Sequence, residues 1–204
     1  RQAKKLIKKL PRPDLLYVTS TPLTTGLLGL WAKKSLAIPY IFEVRDLWPQ
    51  APIEVGAIKN SLLKSSLKRL EKKIYQRAMS LVALSPGIAD HLRKVTPSQK
   101  IHLISNFSDL EMFFPMKKNQ ALLQKYKLTN TLTIAYTGAL GQVNAVNELL
   151  DLAKKAQDNG KNWQFLIMGQ GSHDPQLRQI AIQKSLANVH FIPFGSKEKV
   201  NEVL

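Results

Sequence analysis

An α/β fold of two parallel-sheet domains is what this sequence predicts, and three observations predict it. Short runs rich in Ile, Val, Leu and Phe alternate with helical patterns along the whole chain, as in βαβ units. The alternation breaks once, over an irregular stretch near 107–130, and then restarts. The expected strand ends carry glycine, hydroxyl or charged residues, not merely turn formers. Ligands of open parallel sheets bind outside those carboxyl ends.

Taken in order, RQAKKLIKKLPRPD reads as the last turns of a helix running into a first strand, DLLYVTS at 14–20. TTGLLGLWAKKS (24–35) is a helix with Thr24 or Thr25 near its cap, and YIFEVRD (40–46) is the next strand. The helix at 59–78 repeats Leu63, Leu67, Leu70 and Ile74 every three or four residues. SLVALS (80–85), PGIADHLRKV (86–95) and KIHLISN (100–106) close the first series as strand, helix and strand. In the second series, strands at 132–138, 162–171 and 188–194 alternate with helices at 144–160 and 174–187, and SKEKVNEVL opens another helix. The expected organisation is a first domain over 1–109, a connection over 110–130 and a second domain over 131–204. Both domains read as incomplete, and the chain as a piece of a longer protein.

Composition narrows the function classes. The 204 residues are 44% hydrophobic and 22% charged and include no cysteine, which excludes disulfides and thiolate metal sites. No apolar run approaches the roughly 20 residues of a membrane span. The net charge of +16 is uneven, with +12 on residues 1–109 and +4 on residues 110–204. Such asymmetry points the first half towards an anionic partner (nucleic acid, phospholipid or a pyrophosphate substrate), with mere solubility as the alternative. A nucleic-acid-binding module predicts cations interleaved with exposed aromatics. Here they are interleaved with Leu and Ile, which argues against nucleic acid. His91, His102, His173 and His190 lack metal-like spacing.

Two constellations remain. Glu43, Arg45 and Asp46 end a strand and run into Trp48, either as a structural ion pair or as the floor of a site. In YTGALGQVNAVNELL, Gly138 and Gly141 lie between a strand and a helix, and Gly169 and Gly171 follow in MGQGSHD. Small residues there let backbone N–H groups and a helix N-terminus approach a phosphate, although a tight turn explains them equally well. The spacing is neither a dinucleotide fingerprint nor a P-loop.

The run PDLLYVTSTPLTTG…IPYIFEVRDLWPQAPIEVGAIKN, with VALSPGIADHL and IHLISNFSD, resembles the acceptor-side domain of bacterial glycosyltransferase family 4. The likeness is to the branch that builds capsule and O-antigen sugars. YTGALG, FLIMGQGSHDPQL and NVHFIPFGSKEKV resemble the same family's donor-side domain. This resemblance implies a GT-B architecture of two Rossmann-like domains facing each other across a cleft. It implies a nucleotide-sugar substrate, retaining transfer, and neither metal nor other cofactor for catalysis.

By that resemblance Asp46 is catalytic, with Glu43, Arg45, Trp48 and Ser85 on the acceptor side; capping helix 86–95 is the other role open to Ser85. Gly138, Gly141, Asn144, Gly169 and Gly171 hold the donor, while Asn106 and Asp109 fix the turn where the chain crosses between domains. The family's Glu-x7-Glu motif falls beyond Leu204, its first glycine loop precedes Arg1, and QVNAVN lacks the Arg and Lys that many members place there. The expected function is sugar transfer to a lipid-linked saccharide acceptor in bacterial surface polysaccharide synthesis, the fragment alone being inactive. A GT-B nucleotide-sugar epimerase is the alternative enzyme. A cytoplasmic protein peripheral to the inner face of the plasma membrane follows. Lys64, Lys68 and Lys72, flanking the apolar stripe of helix 59–78, would meet the anionic surface.

Overall fold

A computed structural model describes residues 2–204; Arg1, read as part of the opening helix, lies outside the described residues. The chain divides into two compact units, one ending at Phe107 and one running from Ser108 to Leu204.

In the first unit β1 (Leu16–Thr19), β2 (Tyr40–Val44), β3 (Ser80–Ala83) and β4 (Ile101–Leu103) form a parallel sheet in that order. Its helices are α1 (Gln2–Lys9), α2 (Gly26–Leu36), α3 (Gln50–Glu54), α4 (Ser61–Arg77) and α5 (Pro86–Val95). Strand β2 shows how the pattern becomes a core. Tyr40, Phe42 and Val44 point to one face and are fully buried, while Ile41 and Glu43 take the other. The buried set meets Ile74 and Tyr75 of α4, Leu81 of β3 and Leu92 of α5. The Phe42 and Tyr75 rings tilt against one another at 5.9 Å, and the Tyr40 hydroxyl donates to the Ile74 carbonyl at 2.6 Å.

The apolar stripe expected on α4 is only partly a core face. Leu63 is 48% exposed and Leu67 and Leu70 are half-buried, whereas Glu71, Ile74 and Tyr75 are buried. Only the C-terminal half of α4 reaches the core, so the inward face is set there and takes in a carboxylate. Lys68 and Lys72 are exposed, and Lys64 is half-buried. The helix starts where Asn60 Oδ1 accepts from the Leu63 N–H at 3.0 Å. Asn60→Ala should therefore cost about 1 kcal/mol of stability, read as a lower urea midpoint at unchanged slope.

In the second unit β5 (Leu132–Ala139), β6 (Trp163–Gln170) and β7 (Val189–Pro193) form a parallel sheet in that order. The helices are α6 (Gln120–Lys125), α7 (Val146–Asp158), α8 (Asp174–Gln183) and α9 (Lys197–Val203). Strand β6 is buried from Gln164 through Met168, as a central parallel strand should be. Residues 110–130, expected as a connection, are built into this unit. They contain α6, and Tyr126 and Leu128 pack against Leu166 and Met168. Gln164 ties the segment down through bonds to Thr129 and Thr133. A helix of six residues is too short to show a period, which is why it reads as irregular.

Candidate functional site

In the first unit, the loops leaving β1 and β2 are knitted together. Ser20 N–H donates to the Glu43 carbonyl at 2.8 Å, and Arg45 N–H donates to Ser20 Oγ at 2.8 Å. The Thr21 hydroxyl donates to Asp46 Oδ2 at 2.8 Å, and Tyr17 Oη donates to Glu43 Oε2 at 2.5 Å. Burial, reinforced by the Glu43 carboxylate, pushes the Tyr17 phenol up to about 12. Thr21 sits at φ +90°, a left-handed position costly for a β-branched residue. Its hydroxyl is thereby delivered to an exposed carboxylate rather than to a helix cap.

This geometry separates the acidic pair. Glu43 is largely shielded, with its side chain 15% exposed, and is held by Tyr17. The Arg45 guanidinium is half-exposed and only 4.0 Å from Glu43, a contact worth little in water. Asp46 projects into solvent, anchored on one oxygen by Thr21, which leaves its second oxygen available to accept a proton. Trp48 is half-buried against the hydrophobic core, so packing accounts for much of its ring. Ser85 Oγ accepts from the Ile88 N–H at 3.3 Å and caps α5 above Pro86. That is the capping role.

In the second unit the glycines divide into two kinds. Gly138 lies inside β5, not between strand and helix, and faces Gly169 across the sheet in register. A Cβ on Gly169 would stand 2.0 Å from the Gly138 carbonyl oxygen, and one on Gly171 would stand 2.2 Å from that of Leu140. Both glycines are therefore required by the close approach of two backbones, whatever binds nearby. The loop after β5 locks onto the loop after β6, with Leu140 N–H donating to Gln170 O and His173 N–H to Leu140 O, both at 3.0 Å. Gly141 N–H donates to Asn144 Oδ1 at 3.3 Å, which occupies that side-chain oxygen and leaves the amide of Asn144 to face outwards. The first turn of α7 carries Glu148 and no cation. Diphosphate charge there would meet backbone N–H groups and the Asn144 amide rather than a cation.

Two features were not anticipated. Tyr17 and Thr21 are the partners of Glu43 and Asp46, and the hydroxyl run TSTP at 19–22 was the available signal. The other is a buried pair. Glu71 is 4% exposed, with Oε1 at 2.9 Å from His91 Nε2. Burial pushes its carboxyl above the ordinary range against the opposing pull of His91. Nothing in the sequence joins two residues twenty positions apart. Asp109 fixes a turn as expected, accepting from the Met112 N–H at 3.3 Å, and its carboxyl is held low first by Lys197.

Residues 1–106 match the family model described as glycosyl transferase 4-like domain. The chain belongs to that family. Residues 118–204 match a second model, glycosyl transferases group 1. Among solved structures the chain is similar to HepE of Anabaena in complex with UDP-glucose, with 16% identity and TM-score 0.75 over 98% of this chain and 53% of that one. It is similar to sucrose-phosphate synthase of Thermosynechococcus elongatus, with 16% identity and TM-score 0.77 over 99% and 50%. It is also similar to the lipopolysaccharide outer core galactosyltransferase WaaB in its apo form, with 18% identity and TM-score 0.60 over 98% and 50%. At such identities the likeness carries the fold, which is the α/β fold of GT-B glycosyltransferases. The chain spans about half the length of these structures. No curated protein sequence matches it.

Proposed function

We propose that the whole protein is a retaining glycosyltransferase. It moves a sugar from a nucleotide-sugar to a lipid-linked saccharide acceptor in bacterial surface polysaccharide synthesis. The observation that carries the reading is the pairing of two glycosyl transferase domain families on one chain, with Asp46 held outward at the end of β2 in the first. HepE in complex with UDP-glucose, and WaaB, a galactosyltransferase of lipopolysaccharide, support a nucleotide-sugar donor and a surface-polysaccharide role.

In this reading Asp46 orients the acceptor hydroxyl and takes up its proton. Tyr17 keeps Glu43 out of that task by occupying its carboxylate. Backbone N–H groups at the start of α7 receive the diphosphate, with the Asn144 amide beside them, and Gly138 and Gly141 keep its approach clear of a Cβ. No metal or other cofactor is invoked; the leaving diphosphate is stabilised by those dipoles.

The deciding experiment supplies radiolabelled nucleotide-sugars to the whole protein with and without a polyprenyl-diphosphate-linked saccharide. Label should enter the lipid fraction only when acceptor is present. Conversion of the donor alone would instead mark an epimerase and overturn the reading.

A lipid-linked acceptor also gives the first unit a reason to dock peripherally on the inner face of the membrane. No helix among the described residues is long and apolar enough to cross one. Lys68 and Lys72 present charge outwards from α4, with Lys64 less exposed beside them. Each cation near an anionic leaflet contributes about 1 kcal/mol. The protein should sediment with anionic and not neutral vesicles, and charge reversal at these three lysines should abolish sedimentation with the melting temperature unchanged. Equal binding to neutral vesicles would leave the charge excess as solubility alone.

A further inference from the structure

We propose that the groove between α3, α4 and α5, which Asp46 does not line, is a binding site for a phosphate-bearing anion. It lies wholly in the first unit and stands whether or not sugar transfer is the protein's activity. The groove encloses ≈ 580 Å³, within the range of ligand pockets, and its polar lining comprises Lys68, Lys72, Lys94, Gln50 and His91 together with the carboxylates of Glu54 and Glu71.

Its charge is arranged rather than scattered. Lys68 and Lys72 stand one turn apart on α4 and so share a face, where like charges repel. Lys94 enters from α5. Among the described residues none of the three forms an ion pair. The carboxylates bordering the groove are already engaged. Glu54 accepts from the Gln50 amide at 2.7 Å, and Glu71 is buried against His91. Three ammonium groups thus face the two carboxylates of Glu54 and Glu71, the second of which is bonded to His91. A surplus of cations in a concave place focuses field on whatever occupies it.

Ammonium groups are strong point donors without the planar fork that favours carboxylates, which suits several oxygens of one phosphate or diphosphate. A lipid headgroup and a soluble diphosphate share that chemistry. A bound anion would also relieve the repulsion between Lys68 and Lys72.

The test titrates the whole protein with inorganic pyrophosphate while following the ring resonances of its histidines. The His91 ring should move saturably. In the K72Q/K94Q variant that movement should need at least about ten-fold more pyrophosphate, and in the exposed α1 control K5Q/K8Q it should be unchanged. K68Q alone should act in the same direction, which keeps the result readable if the double variant melts early. Sedimentation with phosphatidylglycerol vesicles then names the source. Competition by pyrophosphate assigns a lipid phosphate to the groove, whereas vesicle binding indifferent to pyrophosphate assigns a soluble anion. A stationary His91 ring, or equal weakening in K5Q/K8Q, overturns the proposal.

Discussion

Gly169→Ala should destabilise the second unit by about 3 kcal/mol, the upper end for overpacking. The added Cβ would stand 2.0 Å from the Gly138 carbonyl oxygen and 3.1 Å from Leu140 Cγ. The first of these atoms belongs to the neighbouring strand, paired in register, so it cannot turn aside as a side chain can. Strands β5 and β6 would have to part at that point, with loss of hydrogen bonds beyond it. Against a domain stability on the order of 5–15 kcal/mol, that loss is large. Gly138→Ala provides the internal contrast. Its Cβ meets only the end of the Tyr136 ring, Oη at 3.1 Å and Cζ at 3.3 Å, which can give way at the expense of its hydrogen bond to the Ala139 carbonyl, so about 1 kcal/mol is expected. Urea denaturation of both variants measures the difference. Equal midpoints for the two would mean that the strands do not approach as closely as described. A donor-affinity experiment therefore belongs at Gly138 and Gly141, because loss of binding on changing Gly169 or Gly171 would report a damaged sheet.

The alternation of strand and helix was legible because parallel strands are apolar runs and crossover helices carry a 3.6-residue period. Helix Pro86–Val95 appears with the expected bounds, since Ser85 and Pro86 mark its start in the sequence itself. What escaped was decided by tertiary contact. The short helices Gln50–Glu54 and Gln120–Lys125 lack the length to show a period. Which face of α4 turns inwards was fixed by where its last turns meet Tyr40 and Phe42, and no stripe of leucines could foretell a buried Glu71. At the site, the sequence offered Glu43, Arg45 and Asp46 as one ionic cluster. The fold separates them by giving Glu43 to Tyr17 of the adjacent strand and Asp46 to Thr21 in the loop that follows it, partners about 25 residues upstream.

That separation leads to the second large effect. Asp46→Asn should leave the fold intact and lower turnover of sugar transfer by about 10² or more. The amide oxygen of Asn can still accept from the Thr21 hydroxyl, so the loop keeps its anchor while the side chain loses its charge and its capacity for the acceptor proton. Nothing else in the described structure leans on Asp46, which is exposed and makes no ion pair. A drop in melting temperature matching the loss of activity would return the residue to a structural role. Thr21 sharpens the test. Its left-handed backbone stores about 1–3 kcal/mol that glycine would not pay. If that strain exists to aim the hydroxyl at Asp46, Thr21→Gly should melt no lower than wild type yet lose turnover. Thr21→Ser, which keeps the hydroxyl, should restore most of it. A Thr21 that merely shaped the loop would show the reverse, with stability altered and turnover per folded molecule preserved.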